Sequence, residues 1–265
     1  MAQAMVQNNQ NKEGLVQMKK LVNAPAMIER AQNALGSEKD AKAFLTSVLS
    51  LYNDDKLLAK CNPNDVMVEC LKAATLKLPV TKSLGFAYVI PYGNTPQFQL
   101  GYRGLIQLAQ RSGQYKYLNA GCVYEGMKIR TEILSGMVEI TGEPISDKVI
   151  GYFGYFELLN GYKKATYWTK EQVEAHAKKF SKAWSQASSP WHTQFDAMAI
   201  KTVLKSILSK YGVISIDFAN VLAEDNVDEK VETEVAANAN ATPIEIPVEI
   251  VDEEPQMADS EEAGF

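Results

Sequence analysis

An α+β fold is predicted: a small antiparallel β-sheet with β-hairpins packed against helices, including a long C-terminal core helix, followed by a disordered acidic tail. Three observations predict it. Apolar residues recur at helical spacing between about residues 24 and 76. From Leu84 the chain turns aromatic and β-branched and is punctuated by Gly93-Asn94 and Asn160-Gly161. An amphipathic stretch from about Thr193 to Tyr211 then closes the body.

The elements follow in order. Residues 1–23 are amide-rich and show no period, so they are expected to be flexible. Asn23-Ala-Pro25 suits the start of a short helix to about Leu35, with Gly36 as its stop. Ser37 precedes a second helix whose Phe44, Leu45, Val48, Leu49 and Tyr52 form one buried stripe. Asn62 and Pro63 start a third, because Asn caps and Pro needs no donor there. It carries Val66, Cys70, Leu71 and Ala74 on one face and ends before Pro79. Leu84–Tyr92 and Gln97–Leu100 read as a strand and its return, and Gly101–Arg111 as a helix ended by Ser112-Gly113. Tyr115–Glu125 reads as a strand, with Met137–Thr141 pairing nearby. Val149–Leu159 and Tyr162–Trp168 flank Asn160-Gly161, which suits a type I′ turn. Thr169 with Gln172 makes a capping box for a helix to about Lys182. Ser185–Ser189 is a polar loop, and Phe195, Ala199, Val203 and Ile207 line the long helix after it. Beyond Leu222 acids, Ala, Asn and three prolines dominate, too little apolar surface to offset the entropy of ordering. The organisation expected is a flexible segment 1–35 with a short helix, suited to oligomer contact, a core 36–222, and an acidic tail 223–265.

Charge divides the same way. The 265 residues carry a formal charge of −5, but residues 1–222 hold 26 basic and 18 acidic side chains. Residues 223–265 hold 1 basic and 14 acidic. A basic body therefore carries an acidic tail, which suits a polyanionic partner for the body. Lys77 to Lys210 alone hold 17 basic and 9 acidic residues, and 21 of the 24 aromatics lie between Lys77 and Phe218. Single-stranded nucleic acid is bound by that combination of cations and flat rings.

Several classes are not expected. No apolar run approaches the roughly 18 residues of a membrane span, and the N-terminus lacks the apolar stretch of a signal peptide. Cys61, Cys70 and Cys122 are few and dispersed, as in reduced intracellular thiols. His176 and His192 have no metal-site spacing, so no metal and no cofactor are expected. A phosphate-binding GxxxxGK[ST] loop and a Gly-x-Ser-x-Gly elbow are absent, so no catalytic residue is assigned. A metal-dependent DNA nuclease and a structural oligomer without DNA function are the alternatives kept open.

Leu84-Gly-Phe-Ala-Tyr-Val-Ile-Pro-Tyr-Gly93, Gln97-Phe-Gln-Leu-Gly-Tyr-Arg-Gly104 and Leu108-Ala-Gln-Arg-Ser-Gly113 resemble the RecT family of phage and prophage single-strand annealing proteins. Val123-Tyr124-Glu125, Pro190-Trp191, Asp196, Met198 and Lys201-Thr-Val-Leu-Lys205 fit the same pattern, from about residue 40 to 218. Arg103 stands where the family usually has a lysine, which keeps the charge. The resemblance implies binding of single-stranded DNA, ATP-independent pairing of complementary strands, and assembly into rings or helical filaments; these are expected to hold two complementary strands, and so the annealed duplex intermediate, in a basic groove. It also implies a partner exonuclease, action in the cytoplasm of the bacterial host cell, and a basic groove beside a sheet and a long helix. The chain end, Glu261-Glu-Ala-Gly-Phe265, resembles the acidic, aromatic tip of bacterial single-strand binding proteins. The tail is open to three readings: it solubilises the chain, competes with DNA for the basic body, or recruits a partner. A host single-strand binding protein is a second expected partner.

Candidate phosphate contacts are Arg103, Arg111, Lys116, Lys128, Lys201 and Lys205, with Lys82, Lys178, Lys182 and Lys210 beside them. Lys201 and Lys205 share a helix face by their spacing, opposite the apolar stripe. Gly101 and Gly104 allow a backbone or a ligand to approach Arg103 closely. Core packing is the first reading for any one of Tyr88, Tyr102, Phe153 and Tyr155, and Tyr102, Trp168 and Trp191 are the candidates for wedging or stacking against DNA.

Overall fold

In the computed structural model the described residues are 2–225, with side chains described from Lys12 to Leu222 apart from Asp217 and Val221. The acidic tail lies outside them except for 223–225, which end the last helix. The N-terminal segment expected to be flexible is instead helix α1 (Ala2–Val22). Its Met18 and Val22 are buried in the core, so a sequence without a clear period still docks through two well-spaced side chains.

Helices α2 (Pro25–Leu35), α3 (Glu38–Asp54) and α4 (Pro63–Thr75) form where expected. Gly36 ends α2 in the left-handed region at φ 86°. The Ser37 hydroxyl accepts from the Asp40 amide, and the Asn62 side chain from that of Asn64. Phe44, Leu45, Val48 and Tyr52 are buried from α3, and Val66, Cys70 and Ala74 from α4. Strands β1 (Ala87–Tyr92) and β2 (Thr95–Leu100) pair as an antiparallel hairpin. The Glu69 carboxylate accepts from the Phe98 amide at 2.7 Å and ties this hairpin to α4. Helix α5 (Tyr102–Arg111) follows directly.

A three-stranded antiparallel sheet, in the order β3-β6-β7, comprises β3 (Tyr115–Tyr124), β6 (Val149–Leu158) and β7 (Lys163–Thr169). Between β3 and β6 the chain leaves to form a separate hairpin of β4 (Lys128–Glu132) and β5 (Met137–Thr141). Met137–Thr141 thus pairs with Lys128–Glu132, a strand that the sequence reading did not include. The β6–β7 turn is not type I′, because only Gly161, at φ 87°, takes a positive angle there. The Gly161 amide donates to the Leu158 carbonyl and the Leu158 amide to that of Tyr162. This is a three-residue loop with glycine at its left-handed position, and the Asn160 side chain accepts from the Tyr162 amide instead.

Helix α6 (Lys170–Phe180) opens with the capping box of Thr169 and Gln172. The one-turn α7 (Pro190–Thr193) and α8 (Phe195–Tyr211) come next. The C-terminal end of the body is two helices: α8, of 17 residues, and α9 (Ile216–Asp225), which places Phe218 and Leu222 in the core.

Strand pairing sorts the sheet side chains onto two faces. On one face lie the rows Leu118–Phe156–Lys164, Ala120–Gly154–Thr166 and Cys122–Tyr152–Trp168. Helix α8 settles on the small middle row, where a Cβ on Gly154 would stand 3.2 Å from Ile207 and 3.4 Å from Val203. Leu105 and Ala109 of α5 join Phe156 in the main core, and Val173 and Ala177 of α6 join Tyr152 in a second, smaller one. All three helices therefore cover this face. The opposite face carries Tyr117–Glu157–Lys163, Asn119–Tyr155–Ala165 and Gly121–Phe153–Tyr167. No helix among the described residues packs on it through these rows; a fourth row, Val123–Gly151–Thr169, ends the same face, and its Val123 is buried.

Candidate nucleic-acid interface

The glycine-flanked arginine at the start of α5 sits on backbone. A Cβ on Gly101 would collide with the Gly85 carbonyl oxygen, and one on Gly104 with that of Phe86. The Gly101 amide donates to Phe86 O at 2.8 Å, which locks the corner. Of the two readings of these glycines, close approach of backbone is the one observed. Arg103 is exposed and its guanidinium donates to the Leu84 carbonyl at 3.3 Å. Arg111 donates to the carbonyls of Leu76 and Lys77 at 2.6 and 2.9 Å. It therefore closes the C-terminal end of α4, where helix carbonyls lack partners. Tyr102 is half-buried at the rim of the main core, and burial raises its phenol pKa. Lys82 pairs with Asp55. Burial opposes ionisation of Asp55, but Lys82 and the amides of Leu58 and Leu57 outweigh it and hold the carboxyl low.

A second group surrounds α6. Lys178 pairs with Glu174 at 2.7 Å and lies over the Trp184 ring at 5.6 Å. Lys182 lies over the ring of Tyr92 at 5.9 Å, which brings the end of α6 to the β1–β2 hairpin. Lys179 and Lys170 sit over Phe180 and Phe195. Such placements favour cations and rings together. Trp168 meets His176 edge-on at 5.2 Å and is half-buried. Trp191 is only 6% exposed, held between Trp184 and Phe195 in the smaller core, so it is an interior residue and offers no ring to a ligand.

On α8, Lys201 and Lys205 are half-exposed, away from the buried Ala199, Val203 and Ile207, and Lys210 is exposed in the last turn. Cations suit that end of a helix. At the opposite end, the Tyr152 hydroxyl donates to Asp196 Oδ1 at 2.5 Å. Burial, then the Asp196 charge, pushes the Tyr152 phenol far above its ordinary pKa. The Asp196 of the sequence motif therefore pins α8 to the sheet.

The remaining candidates part company. Lys128 is exposed at the start of β4, on the separate hairpin. Lys116 belongs to the face that no described helix covers. Its ammonium donates to Glu157 Oε1 at 2.9 Å, while Lys163 lies 3.2 Å from Oε2 and the Tyr155 hydroxyl donates to Oε2 at 3.1 Å. Lys116 is the main cause holding the Glu157 carboxyl below its usual range; burial acts against it, and Lys163 and Tyr155 add to it. A carboxylate with a depressed pKa adds stability above its unfolded pKa and loses it as pH falls through the folded value. The urea midpoints of wild type and Glu157→Gln should therefore differ at pH 7 and draw together as pH falls below the ordinary carboxylate range. A gap that stays constant would show that this network does not titrate.

Lys178 and Lys182 thus lie about α6, Lys201, Lys205 and Lys210 along α8, and Lys116 on the opposite face of the sheet, while Arg103, Arg111, Lys82 and Lys128 stand on other elements. Trp191 is interior. The sequence reading named no candidate at Lys163, Tyr117 or Tyr167, and put core packing first for Phe153 and Tyr155, which are half-buried on the uncovered face. The two-residue alternation of β6, with Tyr152 and Phe156 inward and Phe153 and Tyr155 outward, is the signal that separates them. Among the described residues no three His, Cys, Asp or Glu side chains gather as a metal site would need. No described helix is long and apolar enough to cross a membrane.

Comparison with known proteins bears on the whole of this body. A family model described as the RecT family matches residues 42–237. The chain is 44% identical over 247 residues to a Bacillus subtilis (strain 168) protein described as uncharacterized protein YqaK, covering 92% of this chain and 82% of the relative. It is 28% identical over 214 residues to Protein RecT of Escherichia coli (strain K12), covering 77% of this chain and 78% of that protein.

Proposed function

Since the chain belongs to the RecT family of phage-type recombination and annealing proteins, we propose that it binds single-stranded DNA and pairs complementary strands without ATP. The observation that carries this reading is the family match, which takes in nearly all of α3 and everything from there through α9. The basic surplus of residues 1–222 supports it. Residues 36–222 do the binding and annealing, and the segment before them contributes to contacts between protomers.

One protomer offers few cations. Protomers set side by side in a ring or helical filament add their contributions along one strand. Phosphate neutralisation then sets affinity with little regard to sequence, and base edges stay available for pairing. The strands are delivered by a partner exonuclease in the cytoplasm of the host cell, where the host single-strand binding protein is a second partner.

Two complementary oligonucleotides mixed with the protein, without nucleotide, should form duplex faster than they do alone. Lys201→Ala and Arg103→Ala should each lower the salt slope of binding by about one and slow annealing. No acceleration by wild type would overturn the reading, and loss of label with Mg²⁺ would favour a nuclease.

A further inference from the structure

We propose that the uncovered face of the β3-β6-β7 sheet is a stacking platform for unpaired nucleobases, a reading that rests on the single-strand binding proposed above. Two of its rings lie across the backbone. A Cβ on Gly121 would stand 3.0 Å and 3.3 Å from ring carbons of Phe153, and one on Gly151 would meet the Tyr167 ring at 2.5 Å. The missing side chains let those rings lie down over the neighbouring strand, and the Tyr167 hydroxyl is held by the Ile150 carbonyl at 3.3 Å. Tyr117, on the edge strand, is 57% exposed, and Tyr155 lies between them on β6.

Charge selects the occupant. Glu157 is the acid in these three rows, and two ammonium groups, Lys116 and Lys163, hold it. The face is therefore positive where a phosphate backbone would pass. The rows offer rings, an amide and cations, with Ala165 buried among them. Flat rings beside cations fit single strands, because every base has a π-face. In a duplex those faces are already stacked inside the helix. The platform thus engages strands through bases that are still unpaired, with Lys116 and Lys163 beside it for their phosphates.

The test compares an oligonucleotide with an abasic strand of equal length, using the full chain. Wild type should bind the base-bearing strand roughly tenfold more tightly. Tyr117→Ala/Tyr155→Ala should lose that preference and keep its affinity for the abasic strand, and Tyr117→Phe/Tyr155→Phe should keep both. Circular dichroism melts of each variant report its folding. In the wild-type protein, photocrosslinking of 5-iododeoxyuridine should label Tyr117, Tyr155 or Tyr167. Equal binding of the two strands by wild type, or a preference that the alanine pair retains, overturns the platform and leaves the annealing function standing. So do crosslinks confined to Tyr92 and Tyr102. Dissociation of an oligomer by the alanine pair, with the preference intact, overturns it in favour of a protomer interface. Absence of binding to either strand overturns both readings.

Discussion

Gly104→Ala is expected to destabilise the protein by about 3 kcal/mol or more, the upper range for overpacking a core. The added methyl would collide with the Phe86 carbonyl oxygen and stand 2.9 Å from a Leu100 methyl. Backbone on both sides is fixed: Gly101 N–H is bonded to Phe86 O, and Leu100 is paired with Ala87 in the hairpin. Replacing glycine within a helix would otherwise gain about 1 kcal/mol, so the clash must exceed that for the sign to hold. A collision with backbone does exceed it, because no rotamer change relieves it. Urea denaturation measures the effect. A variant as stable as wild type would show that α5 does not sit against the Gly85–Phe86 segment as described.

Asp196→Ala is expected to cost about 2 kcal/mol, within the range for stranding a buried partner of a charged hydrogen bond. Tyr152 is fully buried and its hydroxyl donates to Asp196. Asp196 itself is exposed, so Tyr152→Phe returns the carboxylate to water at much smaller cost. The two changes should not add. Asp196→Ala/Tyr152→Phe should recover most of the stability lost in Asp196→Ala, since no hydroxyl is then left without an acceptor. Additive losses in the cycle would mean that Asp196 acts through the N-terminal charge of α8 alone. Because α8 carries Lys201 and Lys205, the loosened variant should also anneal more slowly than the double variant.

The elements with strong local signals were legible in the sequence. The capping side chains of Ser37, Asn62 and Thr169, the Pro and Gly boundaries, and the apolar stripes of α3 and α8 each depend on a few adjacent residues. Elements defined by what they dock against were not. Helix α1 has an amide-rich sequence, and its place depends on Met18 reaching a core that other helices build. Strand β4, Lys128-Ile-Arg-Thr-Glu132, is mostly exposed and so lacks a buried stripe. The same limit applies to the candidate site. Charge and residue type picked out cations, but Arg111 was indistinguishable from Arg103 until the C-terminal end of α4 was seen beneath it. Trp191 was one of three tryptophans until its neighbours Trp184 and Phe195 enclosed it. Partners distant in the chain decide these roles, and a local reading carries no record of them.

The separate β4–β5 hairpin has a consequence for the order in which the sheet assembles. Strands β3 and β6 are paired as far as Tyr124 with Val149, so the chain of 125–148 leaves and returns at one point. Closing that loop from loose chain carries an entropy penalty that grows with its length, by about 0.6 kcal/mol per doubling. The hairpin needs only neighbouring residues, as do β6 and β7, and so both zip early. Once it has formed, Lys128–Thr141 no longer counts as slack, and more than half of the loop has been taken up before β3 meets β6. The excursion acts as a splint for the one non-local pairing in the sheet, since it shortens the loop that β3 and β6 must close.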